Sequence, residues 1–107
     1  MNEESKRENV RIQTDALLDY TGTEVLLFHK IENLSLGGLS IHSASVEPVG
    51  TRVFLTINFP DLRETVELEG EVVWSRNRDP REMGIRFVDL SSRDEAVLSR
   101  YIAARSQ

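Results

Sequence analysis

Residues 65–75 constrain the fold more than any other stretch of this chain. Val66, Leu68, Gly70, Val72 and Trp74 alternate there with Glu67, Glu69 and Glu71. Alternation of this kind puts apolar side chains on one face of a strand and carboxylates on the other. A helix would scatter the same residues around its circumference. The mid-strand glycine implies a bulge or sharp bend, which a sheet needs in order to curl. The three glutamates share one side and repel one another, so they read as a solvated strand face and not as a catalytic carboxylate pair. Trp74 closes the apolar face as a rim-of-core tryptophan, with a base-stacking platform as the alternative.

The same period recurs along the chain. Ala16-Leu17-Leu18-Asp19-Tyr20 reads as a short strand, closed by Thr21-Gly22-Thr23. Residues 24–32 form a second strand with Val25, Leu27 and Ile31 on one face, and His29 continues that face as a core or rim histidine. Residues 38–44 form a third, with Leu39 and Ile41 aligned and His42, on the Ser40 side, read as solvated. In residues 51–59, Val53, Leu55, Ile57 and Phe59 share one side, and Pro60-Asp61-Leu62-Arg63 turns the chain. Met83, Ile85 and Phe87 mark a sixth strand, after a polar loop carrying Arg76, Arg78 and Arg81 that is solvated or touches a partner. The period then changes. Ser92 with Glu95 fits a capping box, and Val97, Leu98, Tyr101 and Ile102 form a stripe at helical spacing.

The expected fold is all-β with a terminal helix: a six-stranded antiparallel β-barrel plus a C-terminal α-helix. Closure into a barrel removes exposed strand edges. Residues 14–107 form the barrel and helix, and residues 1–13, polar and without periodicity, form a flexible arm. At 107 residues the chain is one domain.

Several function classes fall away on composition. Net charge is −5, whereas long nucleic acid and anionic membranes want a basic footprint. The longest apolar run, Val25-Leu26-Leu27-Phe28, is too short for membrane insertion. The N-terminus lacks the apolar core of a signal peptide, so the expected location is cytoplasmic. There is no cysteine, and neither histidine has further ligands at metal spacing, so no metal or cofactor is expected. No nucleophile elbow, phosphate-binding loop or dinucleotide fingerprint is present, and the chain reads as a binding protein and not an enzyme.

Two short motifs carry the functional signal. Arg7-Glu8-Asn9-Val10-Arg11 is an R-x-x-x-R in the arm, beside Lys6, in a stretch of local charge +2. Asn33-Leu34-Ser35-Leu36-Gly37-Gly38 is an N-x-S-x-x-G between two strands. Arginines offer forked donors to phosphate oxygens and flat faces for stacking. An amide and a hydroxyl offer hydrogen bonds to a base edge, and Gly38 permits close backbone approach. These are parts for gripping a small anionic nucleotide. Taken singly, each motif has an ordinary reading, a solvated arm and a local turn.

In this order and spacing the motifs resemble those of PilZ domains, bacterial receptors for cyclic di-GMP. Pro48-Val49-Gly50-Thr51, Glu69-Gly70-Glu71-Val72-Val73-Trp74 and Met83-Gly84-Ile85-Arg86-Phe87-Val88-Asp89-Leu90 extend the resemblance from about Lys6 to Tyr101. It implies that Arg7 and Arg11 clamp the phosphates and stack on guanine. It implies that Asn33 and Ser35 bind a guanine edge, with Gly38 supplying room and backbone contacts. Lys6 stands where many members carry another arginine, and both one ligand and a stacked pair remain open. Ordering of the arm over the barrel would then signal to an unidentified protein effector. The alternative is a PilZ-like adaptor in a pilus or motility assembly that binds no nucleotide.

Overall fold

The structure, a computed structural model, describes residues 12–105. Its strands are β1 (Leu17–Thr21), β2 (Val25–Lys30), β3 (Asn33–Leu34), β4 (Gly38–His42), β5 (Arg52–Phe59), β6 (Glu64–Arg76) and β7 (Glu82–Val88). A 3-10 turn (Pro60–Leu62) follows β5, and one helix, α1 (Ser92–Arg105), ends the described chain. The strands make one antiparallel sheet in the order β2-β1-β5-β6-β7-β4-β3.

The class agrees with the alternation in the sequence, and two details differ. The described residues form seven strands and not six, because Asn33 and Leu34 pair with Ser40 and Leu39. The end strands β2 and β3 are not hydrogen-bonded to each other, so the sheet curls without closing as a barrel. A side chain spans part of the opening: His29 Nε2 donates to the carbonyl oxygen of His42 at 2.7 Å.

The concave face holds the core. Leu18, Tyr20, Val53, Leu55, Ile57, Phe59, Val66, Val72, Met83, Ile85 and Phe87 are all buried there, with Leu34, Leu39 and Ile41. Helix α1 adds Val97, Leu98, Tyr101 and Ile102. Tyr101 meets Phe59 with ring centroids 4.5 Å apart. The cap of α1 lies one residue earlier than the sequence suggests. Ser91 Oγ accepts from the Asp94 N–H at 3.1 Å, and the Ser91 carbonyl from the Glu95 N–H at 2.8 Å.

The alternation breaks at two bulges. In the β1–β2 pair, Leu18 faces His29 and Tyr20 faces Leu26, so Leu27 and Phe28 together oppose Asp19. Phe28 takes a left-handed φ of 54°, and its N–H donates to Asp19 Oδ1 at 2.9 Å. One extra residue reverses the facing of everything beyond it. Val25, Leu27 and Phe28 are therefore 62%, 65% and 71% exposed, while Ile31 is buried. The expectation that Val25 and Leu27 share the face of Ile31 is thus corrected.

The second bulge lies in β6–β7. Val72 faces Ile85 and Trp74 faces Gly84, leaving Val73 as the extra residue. Trp74 is turned out of the core and is 41% exposed. The bend expected at Gly70 falls three residues later. Gly70 itself stays in register with Val53 and Phe87. A Cβ on it would come within 2.4 Å of Ile85 Cγ2, so its role is close packing.

The β1–β2 hairpin is fastened from below by a buried carboxylate. Glu47 accepts from the Tyr20 hydroxyl at 2.6 Å, from the Thr23 N–H at 2.8 Å, and from the Thr23 hydroxyl. Burial alone would raise the Glu47 pKa, but the Thr23 and Tyr20 hydrogen bonds outweigh it and hold the carboxyl below its ordinary value. Burial, and then the bond to Glu47, push the Tyr20 phenol up.

Candidate functional site

Cross-strand pairing lines up the outer face of β3, β4, β7 and β6 in rows. The central row is Asn33, Ser40, Gly84 and Trp74. Gly38, Arg86 and Glu71 form the row on one side, and His42, Glu82 and Arg76 the row on the other. Between these rows and the β3–β4 turn lies a cleft of about 360 Å³, lined by Asn33, Ser35, Gly38, Ser40, Trp74 and Arg86 among others.

The N-x-S-x-x-G motif builds one wall. Ser35 donates to the Gly38 carbonyl twice, from its N–H at 2.8 Å and from Oγ at 3.2 Å. Asn33 Nδ2 donates to Ser40 Oγ at 3.4 Å. Asn33 Oδ1 has no hydrogen bond among the described residues, so the side-chain amide can still present an acceptor and a second donor hydrogen to a ligand. Gly38 is required for a local reason. A Cβ there would lie 2.2 Å from the Ile85 carbonyl oxygen, so the β4 backbone approaches β7 more closely than any side chain allows. Thus Asn33, Ser35 and Gly38, brought forward from the sequence, meet at one cleft.

Of the other wall, the sequence offered Trp74 only as the alternative to a rim-of-core residue and did not single out Arg86. The pyrrole ring of Trp74 lies over Gly84, and a Cβ on that glycine would come within 2.1 Å of Trp74 Nε1. In the next row, Arg86 makes a 2.7 Å ion pair with Glu71. Arg86 is the charged residue among those lining the cleft. Its place in Met83-Gly84-Ile85-Arg86-Phe87 marks a strand, and nothing local to that run distinguishes it from a surface arginine. At the far rim His42 stands between Glu32, at 3.4 Å, and Glu82, at 3.6 Å.

Lys6, Arg7 and Arg11 lie outside the described residues. The described chain begins at the cleft, however. Ile12 is buried and exchanges backbone hydrogen bonds with Leu34, at 3.0 and 3.1 Å, between Asn33 and Ser35 in sequence. A second, wider cleft of about 620 Å³ lies between residues 13–17, Lys30–Glu32 and Arg105. Its lining sets Lys30 and Arg105 against Asp15 and Glu32, and Arg105 is paired with both Asp15 and Asp61, which leaves that cleft a poorer anion site. Among the described residues no cluster of three or more His, Asp or Glu side chains could hold a metal ion, and no helix is long and apolar enough to cross a membrane.

Comparison with known proteins bears on this geometry. The family model for the PilZ domain matches residues 5–104. An alginate biosynthesis protein of Pseudomonas putida is 30% identical over 104 residues, covering 94% of this chain and 26% of that protein. An uncharacterised protein of Aquifex aeolicus is also 30% identical, over 94% of this chain and 49% of its own length. The chain therefore spans between a quarter and a half of these curated relatives. Among solved structures, the Bacillus subtilis inhibitor of motility matches with a TM-score of 0.80 at 21% identity, over 91% of this chain and 49% of that one. The PilZ domain of Escherichia coli YcgR, solved with cyclic di-GMP, matches with a TM-score of 0.69 at 18% identity, over 91% of this chain and 88% of that one. At these identities the structures attest the fold.

Proposed function

This chain belongs to the PilZ domain family, a family of cyclic di-GMP receptors, and we propose that it binds cyclic di-GMP in the cleft between the β3–β4 turn and Trp74. The observation that carries the reading is the convergence of Asn33, Ser35 and Gly38 on one cleft beside Ile12. Asn33 and Ser35 read a guanine edge, with Gly38 giving the ligand access to the backbone. Arg7 and Arg11 clamp the phosphates; Arg11 is one peptide bond from Ile12, which is tied to that wall. Lys6 adds charge beside them, though it lacks the forked donor of an arginine.

In this mechanism the ligand draws the N-terminal arm against the sheet and presents a new surface to a protein effector. The activity is recognition, with no bond made or broken. Arg7→Ala and Arg11→Ala should each weaken cyclic di-GMP binding by about tenfold to a hundredfold, as expected for a charge-assisted hydrogen bond of about 1.5–3 kcal/mol. Asn33→Ala and Ser35→Ala should narrow the preference for cyclic di-GMP over cyclic di-AMP. Equilibrium dialysis with both nucleotides checks this. A wild-type protein without that preference would refute the assignment of Asn33 and Ser35.

A further inference from the structure

We propose that the outer face of the β1–β2 hairpin and β5 is a docking surface for a basic amphipathic helix of another protein. The surface lies apart from the nucleotide cleft, which is built on β3, β4, β7 and β6. It gives the protein effector of the receptor reading a place to bind, and the contact itself needs no nucleotide. Strand register assembles the patch from residues far apart in sequence. Val25, Thr21 and Phe54 share one row across β2, β1 and β5, and Glu69 of β6 follows them. The next row sets Leu27 and Phe28 against Asp19, then Thr56 and Glu67. Val25, Leu27, Phe28 and Phe54 are each at least 60% exposed. Large apolar side chains gathered in this way, with polar residues around them, mark an interaction site.

Three features choose the occupant. The first is charge. Asp19, Glu24, Glu67 and Glu69 surround the apolar residues, against Lys30 and Arg52. Arg52 is paired with Glu69 at 3.3 Å, and Glu67 has no ion-pair partner among the described residues. The excess is acidic, so a second copy of this chain or an anionic membrane would bring like charge to the contact, whereas Lys and Arg side chains would answer it. The second feature is the sheet edge. Side chains at both ends of β2 reach residues 42–45: His29 Nε2 donates to the His42 carbonyl oxygen, and Ser45 Oγ donates to Glu24 at 3.4 Å. That segment lies along the free edge, and the bulge at Phe28 interrupts the ladder, so an added strand has no edge to join. The third is size. Val25 and Phe54 are two strands apart, roughly 10 Å. An apolar stripe at i, i+3 or i+4, and i+7 of a helix covers about 10 Å. Two turns of helix therefore span the patch, with basic flanks over Glu24 and Glu67.

The probe is a labelled helical peptide with leucine at i, i+3, i+4 and i+7 and lysine elsewhere. Its fluorescence anisotropy with the full chain, without nucleotide, should show saturable binding that weakens with salt. The same peptide with glutamate for lysine should not bind. Phe54→Ser and Val25→Ser keep the net charge and should each weaken binding about tenfold or more, as for contacts at the centre of an interface. Glu67→Lys should weaken it severalfold, while Glu95→Lys, the same charge change at an exposed position on α1, should leave it unchanged. Circular dichroism identifies a serine variant that fails to fold, and the other then decides. Wild-type affinity in the folded serine variants, equal losses from Glu67→Lys and Glu95→Lys, or no binding to the wild type would overturn the proposal. So would a dimer of the chain alone in sedimentation that Phe54→Ser dissolves, or attachment to phosphatidylglycerol vesicles that Phe54→Ser abolishes. The cyclic di-GMP titration is read separately, so each of these results leaves the receptor reading intact.

Discussion

The two bulges make an instructive pair. Each adds one residue to a strand, and each turns aromatic or aliphatic side chains out of the core. At β1–β2 the result is an apolar surface: Val25, Leu27 and Phe28, with Phe54 two strands away, all at least 60% exposed. At β6–β7 the result is a wall, with Trp74 set over Gly84 and facing polar groups across a cleft. What surrounds the displaced residue makes the difference. Trp74 emerges next to a row whose other members are small or polar, Gly84, Ser40 and Asn33. Phe28 emerges at the edge of the sheet, over Asp19, with no strand beyond it among the described residues. The same backbone device lines a cleft only where neighbouring rows leave a concavity.

The contrast can be tested through stability. Gly38→Ala on the cleft side should have the largest effect, because the new Cβ would meet the Ile85 carbonyl oxygen, a backbone atom that moves only with the whole β4–β7 pair. Overpacking of this kind costs about 1–3 kcal/mol, so urea unfolding should show a loss of about that size, and ligand binding should weaken with it. A Gly38→Ala protein as stable as the wild type would mean that the β4–β7 approach is looser than described.

On the hairpin side, the buried Glu47 predicts a pH dependence. Its folded pKa is held below the ordinary value of 4.5, so its stabilising contribution is fully present above that pH. That contribution is lost as the pH falls through the lower folded value. Thermal melts should show this loss below pH 4.5, and Glu47→Gln should flatten it while lowering stability at neutral pH. Identical acid profiles for Glu47→Gln and wild type would remove the carboxylate from the account.

The smallest effect belongs to Phe28. Glycine adopts its φ of 54° without strain, and the side chain is 71% exposed, so little packing is lost. Relief of left-handed strain and the added chain entropy of glycine are each about 1 kcal/mol and oppose one another. Phe28→Gly should therefore lie within about 1 kcal/mol of wild type, with cyclic di-GMP affinity unchanged. A loss above about 2 kcal/mol in a denaturant melt would show that Phe28 packs against the fold after all.

Much of the architecture could be read from the residues. Unbroken alternation identified the buried faces of β4, β5 and β7, and the stripe of α1 followed from its helical spacing. Alternation failed only where a bulge intervened, because bulges depend on how two strands pair and neither strand's sequence records that partner. Val25 and Leu27 were assigned inward for this reason, and so was Trp74. On the cleft, Asn33, Ser35 and Gly38 were legible because their chemistry is local to one turn. Trp74 and Arg86 reach the cleft only through cross-strand register, a property of the folded sheet. Lys6, Arg7 and Arg11 fall outside the described residues, and their part rests on the sequence and the family.

The central claim is that this cleft binds cyclic di-GMP, and isothermal titration of the full chain with that nucleotide tests it most directly. The account predicts saturable heat for cyclic di-GMP, a much weaker response to cyclic di-AMP, and loss of the heat in an Arg7→Ala/Arg11→Ala double variant that remains folded. No heat from the folded wild type, or equal heat from the double variant, would contradict it.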